Sequence, residues 1–127
     1  MDQLLSLRYV AAGGVVGTAL RWATVTIVSD HRTDEAILAL NVVGSILLGV
    51  VLGRKRPRRG RPRITRNQEL LLGTGFCASL TTFATYTLDV ATALDDGQIG
   101  EAAITAVTTV AAAVLGAGLG YRIGARS

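Results

Sequence analysis

Residues 73–89 read GTGFCASLTTFATYTLD, and how this stretch sits in the chain decides the fold. It is apolar enough for a bilayer, yet it carries Thr74, Ser79, Thr81, Thr82, Thr85 and Thr87, together with Phe83 and Tyr86. Hydrocarbon supplies no hydrogen-bond partners, so hydroxyls at that depth must face protein, water or an ion. A lipid-facing span has no use for so many of them. The stretch reads as the lining of a permeation path.

Outward from it, the apolar residues of the 127-residue chain fall in long runs separated by short polar segments. A helical span needs about 20 mostly apolar residues. Four runs qualify, at 4–28, 36–53, 69–94 and 102–123, and they make one four-helix transmembrane domain over 1–127. The first run lacks the basic start and small-residue cleavage site of a secretory signal and leads straight into the next, so it counts as a span. Four spans leave almost nothing for a soluble catalytic domain. No nucleophile, general base or metal-ligand cluster stands in any of them, so the sequence argues against an enzyme.

The net charge is +4, and its placement is informative. Arg54, Lys55, Arg56, Arg58, Arg59, Arg61, Arg63 and Arg66 crowd the loop 54–66. Arg122 and Arg126 follow the last run. The other two loops hold Asp30, Asp34, Glu35, Asp95, Asp96 and Glu101, with Arg32 as their one base. Lysine and arginine stay on the cytoplasmic side, which puts loop 54–66 and both termini inside a plasma membrane. The basic loop then anchors topology and meets anionic lipid. Without interleaved aromatics or room for a fold, it is a poor nucleic-acid site. Cys77 stands alone in a span and reads as small core filler; His31, in an acidic outer loop, reads as solvated.

Several polar and small residues are placed deliberately. Gly13 and Gly17 form a small-xxx-small face, and Gly116, Gly120 and Gly124 form a longer one. Arg21 lies about 10 Å inside the outer end of its span at 1.5 Å per residue. It either snorkels outward beside Trp22 or is paired at depth, and in both cases it can draw anions into an outer vestibule. Asn41 shares a helix face with Ser45, Gly49 and Gly53. It can bind a neighbouring helix or aim amide donors at an anion. Thr65 and Gln68 have capping-box spacing at the start of the third span. Composition alone favours an unbroken third helix whose threonines bond back to carbonyls one turn earlier. Gly73, Gly75 and the cluster 81–86 of low helix propensity argue for a break there. Thr105 and Thr109 lie one turn apart, either back-bonded or part of a polar track.

Three motifs in order resemble the CrcB/Fluc small fluoride channels: GGVVGTALRW at 13–22, LNVVGSILLG at 40–49 and GTGFCASLTTFATYTLD at 73–89. The resemblance covers nearly all of the chain. It implies an all-helical membrane protein whose third helix is broken near its middle, assembled as an antiparallel dimer with two narrow pores, and passive fluoride export that protects the cytoplasm. It implies that Asn41, Phe83, Tyr86, Thr105 and Thr109 line a fluoride pore. It implies a structural sodium ion at the dimer centre, held by the carbonyls of Ala78 and Thr81. The chain departs from the family pattern at Ala78 and Ser79 (paired glycines), Ala84 (a serine), Tyr86 (a phenylalanine) and Ala113, where a hydroxyl would extend the track.

Fluoride is small and strongly hydrated. Neutral amide and hydroxyl donors and the positive edges of aromatic rings can replace its water without trapping it. The lopsided charge implies insertion in one direction only, so an antiparallel assembly calls for an oppositely biased paralogous partner. Two other readings stand beside this one. A non-conducting scaffold subunit would tolerate the departures. A small multidrug-type exporter would need a carboxylate deep in the first span, and 4–28 has none.

Overall fold

Glycine faces set the packing of this chain. The computed structural model describes residues 2–28, 33–57 and 63–126. His31, Asp30, Arg32 and part of the basic loop, with the readings attached to them, lie outside the described residues. The described residues form helix α1 (Asp2–Ile27), helix α2 (Thr33–Arg54), a composite helix α3 over 66–80, helix α4 (Phe83–Asp95) and helix α5 (Ile99–Arg126). α1, α2 and α5 are each long and apolar enough to cross a membrane. They start two or three residues before the expected apolar runs, and α2 and α5 also end one and three residues past them.

α1 runs parallel to α3. A Cβ on Gly13 would strike the carbonyl of Leu71, and one on Gly17 the carbonyl of Phe76, so only hydrogen fits at either position. α2 runs parallel to α5 on reciprocal glycines: Gly49 faces the Ala117 carbonyl, Gly53 that of Tyr121, Gly120 that of Ile46 and Gly124 that of Val50. Helices this close gain dispersion along their whole length, which is the main attraction open to them in lipid. α2 also crosses α3 in the opposite sense, with Gly44 against the Thr81 side chain and Gly73 against Val51. Cys77 and Leu80, 2% and 1% exposed, are the most buried side chains and sit where these faces meet.

α3 is not one regular helix. It opens with a capping box, in which the Gln68 amide N–H donates to Thr65 Oγ1 at 3.3 Å and the Thr65 N–H to Gln68 Oε1 at 3.0 Å. It widens into a π-helix over Leu70–Cys77 and closes with one α-turn, Ala78–Leu80. The helix then stops. Thr81 (φ −82°, ψ 154°) and Thr82 (φ −139°, ψ 123°) are extended, and α4 starts at Phe83. The break follows the resemblance and corrects the unbroken helix that composition alone favours. α4, at 13 residues, is too short to cross a bilayer by itself at 1.5 Å per residue.

α4 and α5 form a tight antiparallel hairpin. Gly97, at φ +73°, takes the left-handed position after α4. Its N–H bonds the Leu94 carbonyl at 3.1 Å, and the N–H of Gln98 bonds that of Ala93 at 2.8 Å, which is the Schellman arrangement. At the basic end, Lys55 Nζ pairs with Glu69 Oε1 at 2.8 Å across the partly described loop.

Candidate functional site

Two residues of extended backbone inside an apolar bundle leave peptide groups that helices would have paired. Side chains from two other helices pair them here. The Asn41 Nδ2 amide donates to the Thr82 carbonyl at 3.1 Å, and the Thr82 N–H donates to Asn41 Oδ1 at 2.8 Å. The Arg21 guanidinium donates to the Thr81 carbonyl at 3.3 Å. The Thr81 hydroxyl donates back to the Cys77 carbonyl at 3.1 Å. α1 and α2 therefore pair three of the peptide groups at the break, the Thr81 carbonyl and both groups of Thr82. Asn41 acts as a two-sided clamp, and Arg21 lies against a carbonyl at the end of α3, where a cation offsets the helix dipole. Arg21 is thus paired with backbone, and Trp22 beside it is 69% exposed.

Around the break lie two adjoining cavities. The first, of 220 Å³, is walled by Asn41, Ser45, Thr81, Thr82, Phe83, Tyr86, Thr109 and Ala113 among others. The second, of 200 Å³, continues toward the start of α2 between Glu35, Ile37, Asn41, Tyr86, Asp89, Thr105 and Thr109. Asn41, Tyr86 and Thr109 belong to both walls. The structure thus brings Asn41, Phe83, Tyr86, Thr105 and Thr109 together from α2, α4 and α5. Arg21 stands apart from them, in a third cavity of 370 Å³ with Thr18, Trp22, Thr82 and Thr85.

The hydroxyls divide into two groups. Ser45 Oγ bonds the Asn41 carbonyl at 2.7 Å, and Thr87 Oγ1 bonds the Ala84 carbonyl at 2.9 Å, so both are committed to their own helices. Thr105 and Thr109 have no hydrogen-bond partner among the described residues and keep their hydroxyls for the cavity. Phe83 and Tyr86 stack with centroids 5.3 Å apart at 46°. The Phe83 ring is 72% exposed, so this chain closes one side of it only. The Tyr86 hydroxyl reaches the Ala106 carbonyl at 3.4 Å.

The carbonyls of Ala78 and Thr81 are relevant to a cation. The N–H that an unbroken helix would give to the Ala78 carbonyl is that of Thr82, and it goes to Asn41 instead. The Ala78 carbonyl keeps one long contact, 3.4 Å from Thr81 Oγ1. The Thr81 carbonyl has a lone pair left beside Arg21. Both can coordinate a hard cation, but two oxygens fall short of the six or so such an ion gathers. The acids Glu35 and Asp89 at the second cavity, the phenol contact to Ala106 and the clamp on Thr82 were not foreseen from the sequence. The clamp and the phenol contact join residues 41 and 20 positions apart, a distance at which local patterning gives no signal.

This is an all-helical protein with three helices long and apolar enough to cross a membrane, and its broken helix borders two adjoining cavities. A family model described as "CrcB-like protein, Camphor Resistance (CrcB)" matches residues 8–121. "Fluoride-specific ion channel FluC 2" of Synechococcus sp. (strain CC9902) is 40% identical over 126 residues, covering 95% of this chain and 84% of that protein. The protein of the same name from Natronomonas pharaonis is 35% identical over 122 residues, covering 96% and 97%. That from Rhodococcus jostii (strain RHA1) is 30% identical over 120, covering 94% and 98%. The chain belongs to the CrcB family, a family of ion channels and not of enzymes. With its three long apolar helices it is a multi-pass membrane protein.

Proposed function

We propose that this chain is a subunit of a fluoride-selective channel that lets fluoride leave the cytoplasm passively across the plasma membrane. The observation that carries the reading is the convergence of Asn41, Phe83, Tyr86, Thr105 and Thr109 on two adjoining cavities beside the break. Relatives whose names state fluoride specificity support it. Fluoride gives up water along such a path in exchange for the second amide proton of Asn41, the hydroxyls of Thr105 and Thr109 and the ring edges of Phe83 and Tyr86. None of these is a fixed cation, so the ion is held and can still leave. Arg21, in its own cavity, raises the anion concentration nearby.

In this reading α3 and α4 together make a crossing, giving four per chain, with both termini and loop 54–66 inside. The exposed ring of Phe83 and the half-complete carbonyl pair of Ala78 and Thr81 call for a second, antiparallel subunit. A sodium ion bound between the two pairs would supply a positive field to the pore from a distance, and Ala78 and Thr81 would hold it through backbone oxygens whatever their side chains. One-sided charge makes the partner an oppositely inserted paralogue, and the assembly a heterodimer.

The test is fluoride efflux from liposomes, read with a fluoride electrode. The chain with such a paralogue is expected to release fluoride and not chloride, and Phe83→Ile or Asn41→Ala in this chain to abolish release from the pore it lines. A pair that assembles but leaks nothing would instead support the scaffold reading, which Ala113 favours.

A further inference from the structure

Tyr86 is where this chain departs most consequentially from a plain aromatic lining. Its ring belongs to the walls of both cavities, as do Asn41 and Thr109. The three come from α4, α2 and α5 and are the residues the two cavities share. Each carries a donor that is neutral and movable. Asn41 has one amide proton beyond the one given to Thr82. Thr109 has a hydroxyl with no partner among the described residues. The phenol proton of Tyr86 points at the Ala106 carbonyl across 3.4 Å, well beyond the roughly 2.7–2.8 Å usual for such bonds. That carbonyl lies inside α5 and has its helical bond as well. The phenol is therefore held in place by a weak contact and can redirect its proton by a turn about the C–O bond.

We infer that Asn41, Tyr86 and Thr109 form a three-donor anion site at the junction of the cavities, in which the Tyr86 phenol swings its proton from the Ala106 carbonyl to the passing halide. No bond to hydrogen breaks: the O–H rotor changes acceptor and returns when the ion has gone. A phenol is a stronger donor than a ring edge, so this junction binds a small, hard halide more tightly than a phenylalanine at the same place would. The inference rests on the fluoride-path reading but commits to a particular atom within it.

The test separates the two. In detergent, fluoride added to the whole protein with its partner should perturb the ultraviolet absorption of a phenol. Tyr9, Tyr86 and Tyr121 are the candidates, and Tyr86→Phe should abolish the change. In liposomes, the fluoride concentration for half-maximal flux should rise about tenfold in Tyr86→Phe, the loss of one hydrogen bond of about 1.4 kcal/mol. Thr109→Val should shift it similarly, and the double variant by less than the product of the two. A phenol spectrum that ignores fluoride overturns the inference whether or not the chain conducts. So does a Tyr86→Phe variant that conducts with unchanged or tighter half-saturation, since the phenol would then be a bystander or an obstacle. Wild-type protein that shows the spectral change without flux would sink the channel reading and leave the site standing.

Discussion

Asn41 holds backbone with one amide proton and its carbonyl, which leaves a single proton for an ion. The two duties can be separated. Asn41→Ala strands the N–H and the carbonyl of Thr82 and is expected to cost about 2 kcal/mol, the lower part of the range for two half-buried polar groups. Asn41→Asp still accepts from the Thr82 N–H, so its melting temperature in detergent should lie between those of wild type and Asn41→Ala. Its carboxylate repels fluoride, and flux should be lost in both. Equal stability of all three would mean the break does not depend on this clamp. Arg21 is open to a similar cut. Arg21→Lys preserves the charge but loses the planar reach to the Thr81 carbonyl, and a drop of about 1.5 kcal/mol is expected. A snorkelling arginine would tolerate lysine with no change in melting.

Between elements, the glycines differ in what they permit. Gly120 presses on the Ile46 backbone, whereas nothing stands within 4 Å of a Cβ built on Gly118, two residues away on the same helix. Gly120→Ala must drive α2 and α5 apart, at about 3 kcal/mol or with loss of folded protein. Gly118→Ala should be neutral or stabilising by about 0.5 kcal/mol, since it removes backbone freedom from the unfolded chain. Melting curves of the two in one detergent decide it, and equal loss at both would deny the close α2–α5 approach. Gly97→Ala, at positive φ, is expected to cost about 1 kcal/mol by loosening the turn into α5.

For the molecule as a whole, the charge map predicts one orientation. Asp96 lies in the exposed turn between α4 and α5, and Asp96→Cys should react only with reagent added outside the cell. Native Cys77, 2% exposed, contributes little background. Labelling from both sides would remove the case for a paralogous partner. The helices were legible in the sequence because apolar runs of bilayer length have few other uses, and the glycine faces because small residues at steps of four are seldom accidental in such runs. The capping box at Thr65 was legible for the same local reason. The break was half legible: Gly73, Gly75 and the low-propensity cluster 81–86 pointed to it, composition as a whole pointed away, and the resemblance decided between them. The thermal cost of the break is met by Arg21 and Asn41, which lie 60 and 41 positions away, and composition near Thr81 carries no trace of them. The π-helix of Leu70–Cys77, against which Gly13 and Gly17 of α1 pack, was hidden too.

The clamp on the break has a bearing on how the protein is made. A ribosome delivers the chain from its N-terminus, so α1 and α2 leave it before Thr81 and Thr82 are synthesised. The guanidinium and the amide that will receive those two residues are already lodged in the bilayer when the unwound segment arrives. Its bare peptide groups need not wait in oil for a mate, and moving the same helices into another order along the gene would take that advantage away.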